Sequence, residues 1–200
     1  GIFTVVTAEM LPVGLLTPIA SALQVSEGTA GQTLTTTGFV AAVAAPLVVP
    51  ALGRTDRRRA LVALMGLLAV ANALAACAPT FGVLVTARVL VGIAMGGVWA
   101  LAAGIAVRLV PAGSVPRATA TIFSGIAVAS VLGVPAGTFL GALAGWRAAF
   151  AVVGAVAAAV ALAMAVLLPA LPAGRPARLS GITALLRDAR VLTGLVVVTL

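Results

Sequence analysis

Six apolar stretches, at about 2 to 23, 34 to 53, 60 to 78, 82 to 108, 117 to 141 and 147 to 169, follow one another with short breaks, and a seventh begins near Val191. Each is close to the roughly 20 residues that an α-helix needs to cross the hydrocarbon core of a bilayer. Backbone in lipid must satisfy its own hydrogen bonds, so a chain of this pattern is restricted to a bundle of spanning helices. The breaks carry turn and capping residues: Ser26 to Gln32, Gly53 to Asp56, Ala78-Pro79-Thr80, Pro111 to Pro116, and Gly145-Trp146. Composition agrees, with 62% hydrophobic and 8% charged residues, a balance that no water-facing surface tolerates over 200 residues. A formal charge of +8 on a soluble chain would suggest nucleic acid, but here the arginines sit between apolar stretches, and the lipid bilayer is the expected partner. Cys77 is the one cysteine, which excludes an intrachain disulfide and a cysteine-based zinc site. Gly1 and Leu200 both fall in apolar sequence, so the chain reads as cut at both ends, and Ile2 to Leu23 reads as a first span rather than a signal peptide.

The arginines set the expected orientation, because cytoplasmic loops collect positive charge. Arg54, Arg57, Arg58 and Arg59 lie between spans two and three, Arg108 and Arg117 flank the break between four and five, and Arg175, Arg178, Arg187 and Arg190 follow span six. The alternate breaks hold Glu27, no charge, and Arg147. The N-terminus is therefore expected in the cytoplasm. Residues 1–169 form a six-span domain, 170–190 a cytoplasmic linker, and 191–200 the start of span seven, with a second six-span half expected after it.

Glu9 is the one acidic residue inside a span, in a segment that Pro12 and Pro18 interrupt. A carboxylate at the bilayer centre costs about 2.5 to 3.5 kcal/mol on insertion scales, so such groups face cavities and mark ion or proton paths. A broken helix opens backbone groups toward such a cavity. Solvation near the cytoplasmic surface is the alternative for Glu9. Arg88, about six residues into span four, is expected roughly 9 Å deep from the outer side, with Glu9 about 12 Å lower. Pairing with Glu9, water or carbonyl contacts, and snorkelling to the interface are all open to it.

Gly92 and Gly96 in span four, with Gly97 beside them, and Gly125, Ala129, Gly133, Gly137 and Gly141 in span five place small residues on single helix faces. Such faces allow close backbone approach in lipid, as a static packing seam or as a sliding interface. Pro135 is expected to interrupt the span-five hydrogen-bond ladder. Thr35, Thr36, Thr37 and Asn72 are the polar neighbours, and Phe39, Trp99 and Phe123 the aromatic candidates for the wall of a mostly apolar substrate cavity. Such a lining suits lipophilic or weakly polar solutes better than sugars.

These motifs together resemble the major facilitator superfamily, within it the bacterial drug and proton antiporters of the arabinose-efflux and chloramphenicol-resistance type. Thr7-Ala8-Glu9-Met10 with Gly14 to Ala20 is similar to that group's first span, and the resemblance implies proton coupling at Glu9. Gly53-Arg54-Thr55-Asp56-Arg57-Arg58-Arg59 resembles the loop between spans two and three, implying a cytoplasmic latch of Gly53, Asp56 and Arg57. Ala87 to Ala94 resembles the span-four motif whose arginine tunes the coupling proton, a role carried to Arg88. Leu132 to Gly137 resembles the span-five antiporter motif, with Gly133, Pro135 and Gly137, and Gly145 to Phe150 the outer start of span six.

The resemblance implies an all-α, twelve-span transporter, represented here by its N-terminal half. It would be monomeric when complete, would lie in the bacterial inner membrane, and would export drugs or small organic solutes by alternating access. The energy source would be the proton gradient, with no cofactor and no metal. A sugar or nucleoside exporter of the same superfamily is the alternative, and a non-transporting membrane scaffold is a third. A membrane enzyme is disfavoured, since the chain has no histidine and no serine flanked by a base.

Overall fold

The computed structural model describes residues 1–172 except Arg54, and not the side chains of Ala103, Ala106 and Arg108. Most of the expected linker, the start of a seventh span at 191–200, and Arg175, Arg178, Arg187 and Arg190 lie outside the described residues. Eight α-helices are described: α1 (Ile2–Met10), α2 (Leu16–Leu23), α3 (Glu27–Leu52), α4 (Arg57–Ala76), α5 (Phe81–Leu109), α6 (Val115–Val128), α7 (Val134–Ala144) and α8 (Trp146–Leu167). With α1 joined to α2 and α6 to α7, they make six segments long and apolar enough to cross a membrane. The segments alternate in direction. One end of the bundle, here the basic end, gathers the α3–α4 loop, the α5–α6 turn and the end of α8; the opposite end gathers the other connections.

Local chemistry sets the boundaries. Span two begins at Glu27, not near residue 34, because Ser26 caps the helix by accepting the Thr29 N–H at 3.1 Å. The hydroxyls of Thr33 and Thr37 then donate to carbonyls of their own helix, Ala30 O and Thr33 O, so this polar stretch stays helical. A single residue, Gly145, turns α7 into α8 at φ +83°, a left-handed conformation that favours glycine.

The prolines act differently from one another. Pro12 sits in a 3₁₀ turn, Leu11–Leu15, that divides span one, whereas Pro18 falls in the first turn of α2, where its missing N–H has no partner to lose. The expected second interruption by Pro18 is therefore corrected. In span five the break lies upstream of Pro135, as a π-helical turn over Ala129–Gly133 that leads into α7. Widening the helix there relieves the clash of the proline ring with the preceding turn.

Both glycine faces are filled by neighbouring helices. A Cβ on Gly92 would lie 2.8 Å from Thr37 O, and one on Gly96 would lie 2.6 Å from Ala41 O and 3.0 Å from Ala45 N, all backbone of α3. Span five packs on span one, with Gly125 against Phe3, Gly133 against Thr7, Gly137 against Leu11 and Gly141 against Leu15. Close approach of backbones is how helices associate in lipid, where burying apolar surface gains nothing over the acyl chains. Backbone cannot step aside as a side chain can, so Gly96→Ala is expected to destabilise the full-length protein by about 2 kcal/mol. Gly66→Ala, at a position with nothing within 4 Å of the new Cβ, is expected to be neutral or stabilising. Thermal inactivation of the two purified variants in detergent, side by side, tests this.

Candidate functional site

The break in span one creates a need that span four meets. Leu11 donates its N–H to Thr7 O, and Pro12 has no N–H, so neither residue supplies the carbonyl of Ala8. Arg88, fully buried on α5, donates from Nη1 to Ala8 O at 2.9 Å and from Nη2 to Glu9 O at 3.1 Å. A planar guanidinium can grip two successive carbonyls in this way; an ammonium cannot do so with the same geometry. Behind it, the Thr37 hydroxyl lies 3.4 Å from Arg88 O, joining α3 to the same point.

The two intramembrane charges expected from the sequence are thus brought together, but through the backbone of Glu9 rather than by a carboxylate–guanidinium bond. Glu9 itself remains partly exposed. The expected 12 Å difference in depth does not keep them apart, since the guanidinium reaches the Ala8 and Glu9 carbonyls. That count took the helices as upright, level at their ends, and measured to α-carbons, whereas the long arginine stem carries its charge well away from its own Cα. Snorkelling of Arg88 to the outer interface is excluded by its complete burial. Arg88 Nε and the Thr7 hydroxyl are buried beside this site without a hydrogen-bond partner. Thr7, packed on Gly133 of the π-helical turn, was not singled out from the sequence, and only its place two residues before Glu9 signals it.

At the basic end, Gly53 turns the chain at φ +48° into the cap of α4. Asp56 Oδ1 accepts from Arg58 N at 2.8 Å and Oδ2 from Leu171 N at 3.1 Å, while Arg57 N donates to Leu171 O at 2.9 Å. The Arg58 guanidinium donates to Ala165 O near the end of α8. Asp56 and Arg57 therefore fasten spans three and six together within this bundle. Desolvation raises the Asp56 carboxyl, but the N–H groups of Arg58, Leu171 and Arg59 and the charge of Arg59 outweigh it and hold the group below the usual carboxylate range. A depressed carboxyl stabilises the fold above its unfolded pKa and loses that contribution as pH falls through the folded value. Asp56→Ala is accordingly expected to lower the thermal midpoint of the full-length protein by a few degrees at neutral pH. The gap should close on acidification; a wild-type midpoint equally above the variant at acid pH would contradict the assignment.

The candidate cavity residues scatter. Phe39 is exposed on the outer face of α3. Trp99 and Phe123 stack with ring centroids 6.0 Å apart, across the α5–α6 contact. Asn72 is a correction: it is fully buried in the seam of α4 with α8, donates to Leu68 O of its own helix, and faces Gly154. An amide that returns to its own helix and lies under a glycine is helix-packing chemistry, not an open cavity wall. A largely apolar cavity of about 480 Å³ does lie at the basic end between Ile2, Leu61, Val98, Ile122 and Met164, away from Glu9.

The sequence profile of the Major Facilitator Superfamily matches residues 1–199. The chain belongs to the Major Facilitator Superfamily. Its superfamily relatives include the purine ribonucleoside efflux pump NepI of Salmonella paratyphi B, 35% identical over 193 residues that cover 96% of this chain and 49% of that protein. The pump of the same name from Shigella dysenteriae serotype 1 is 37% identical over 194 residues, with 96% and 49% covered. The chain spans about half the length of the curated relatives it matches. Its six spans form the N-terminal half of a superfamily fold, that of a multi-pass membrane protein, and the relatives named above are efflux pumps.

Proposed function

We propose that this bundle is half of a proton-coupled exporter that moves purine ribonucleosides, or small organic solutes of similar polarity, outward by alternating access. The observation that carries the reading is the grip of Arg88 on the Ala8 and Glu9 carbonyls at the Pro12 break. It fixes a positive charge beside the Glu9 carboxylate, and leaves that carboxylate partly exposed, able to exchange a proton with a cavity. Val13 and Thr17, farther along span one, are exposed as well. The second half of a twelve-span transporter would close the cavity over these residues. The nucleoside is placed ahead of a lipophilic drug because the relatives at 35% and 37% identity bear that substrate in their names. The arginines of the basic end support a cytoplasmic position for it in this reading, which takes the membrane to be a bacterial inner membrane.

The test is proton movement in inside-out vesicles that hold the full-length protein. Purine ribonucleosides and lipophilic drugs are added separately to a preset pH gradient. Discharge by nucleosides supports the reading as stated; discharge by drugs alone moves the substrate class to drugs, and discharge by neither rejects proton-coupled export.

A further inference from the structure

A crevice of about 470 Å³ opens at the basic end between the start of α4 and the end of α8, lined by Asp56, Arg58, Arg59, Val62, Ala63 and Ala165. Its two parts are chemically distinct. At the rim stand two guanidiniums: Arg58, held in place by its bond to Ala165 O, and Arg59, which is exposed and makes no side-chain hydrogen bond to another described residue. Arg58 spends one of its five N–H donors on that carbonyl. Below the rim, Val62, Ala63 and Ala165 form an apolar floor. Beside Ala165 on α8, Leu162 is 68% and Val166 79% exposed, so apolar surface is also open next to the crevice.

We propose that this crevice binds one anionic phospholipid, with the phosphodiester between Arg58 and Arg59 and an acyl chain on the floor between α4 and α8. Basic pockets between spanning helices at the headgroup level attract anionic lipids. The local charge selects among them. Two arginines and Asp56 sum to a single positive charge, which matches one phosphodiester monoanion. The Asp56 oxygens accept from the N–H groups of Arg58 and Leu171, which hold this carboxylate in place beside the arginines. A zwitterionic headgroup would bring its ammonium toward two guanidiniums against one carboxylate, so phosphatidylglycerol fits better than phosphatidylcholine. A soluble phosphate would use the rim and leave the floor bare. Bound lipid would span the contact that Asp56 and Arg58 already make between spans three and six, and so would stiffen that end of the bundle.

The experiment uses full-length protein in nanodiscs of phosphatidylcholine with a minor fraction of phosphatidylglycerol, and counts retained lipids by native mass spectrometry. Arg59→Gln removes one rim charge that no side-chain hydrogen bond holds, and leaves the backbone N–H bonds to Asp56 in place, so the cap of α4 is kept. It is expected to reduce retained phosphatidylglycerol about fivefold, the effect of one charge at a membrane surface, and to leave phosphatidylcholine unchanged. Arg117→Gln, which removes an exposed arginine at the start of α6, is the control for general surface charge and is expected to lower phosphatidylglycerol clearly less than Arg59→Gln does. Equal phosphatidylglycerol retention in wild type and Arg59→Gln, or equal loss in Arg117→Gln, would overturn the site. In detergent, inorganic phosphate that displaces phosphatidylglycerol and raises the thermal midpoint as much as the lipid does would overturn the acyl-chain part and leave a phosphate site.

Discussion

Arg88→Met is expected to destabilise the full-length protein by about 3 kcal/mol or more, one of the largest effects of any single substitution in this bundle. Methionine fills much of the space of the arginine stem, so the loss is not mainly one of volume. It lies in the carbonyls of Ala8 and Glu9, which Arg88 now supplies at 2.9 and 3.1 Å. Pro12 has removed the donor that a continuous helix would bring to Ala8 O, and no water of the bulk reaches a fully buried site. Each hydrogen bond from a charged donor contributes about 1.5 to 3 kcal/mol. Part of that is offset in the variant, because a desolvated cation is removed as well. Arg88→Lys keeps the charge and loses the two-pronged geometry, and is expected to fall between the two. Half-lives of the purified proteins at one elevated temperature in detergent are the suitable comparison, since membrane proteins rarely unfold reversibly. A wild-type half-life for Arg88→Met would mean that the break in span one is stable without its arginine.

The bundle itself was legible in the sequence because lipid leaves so few choices: apolar runs of spanning length, punctuated by Gly145 or Pro111 to Pro116, have one structural outcome. The arginine distribution likewise marked which connections share an end. What escaped was the true start of span two, expected near residue 34, where the Ser26 cap and the Thr33 hydroxyl bond to Ala30 O carry the helix back to Glu27. In span five the distortion lies at Ala129–Gly133, ahead of the proline that invites it. At the candidate site, Glu9 and Arg88 were found as charges out of place, with carbonyl contacts among the alternatives open to Arg88, but which alternative holds was not legible. Depth counted along two helices could not anticipate that the arginine answers a backbone carbonyl orphaned by Pro12. Asn72 misled for a related reason: an amide in a span reads as a ligand until Gly154 is seen against it. The loop motif was visible as Gly53, Asp56 and Arg57, yet its partners, Ala165 and Leu171, are more than a hundred residues away and carry no side-chain signal.

Glu9→Gln has the other large expected effect, and it separates coupling from folding. Glutamine keeps the size of the side chain and leaves the Glu9 carbonyl free to accept from Arg88, so the protein should fold and still bind substrate. It has no proton to exchange. In vesicles of full-length protein, uptake of a labelled purine ribonucleoside is compared with and without an imposed pH gradient, together with substrate exchange at equal pH. Proton-coupled export through Glu9 predicts that gradient-driven accumulation falls at least tenfold in Glu9→Gln while exchange at equal pH persists. Accumulation that still follows the pH gradient in the variant, at the wild-type level, would contradict it.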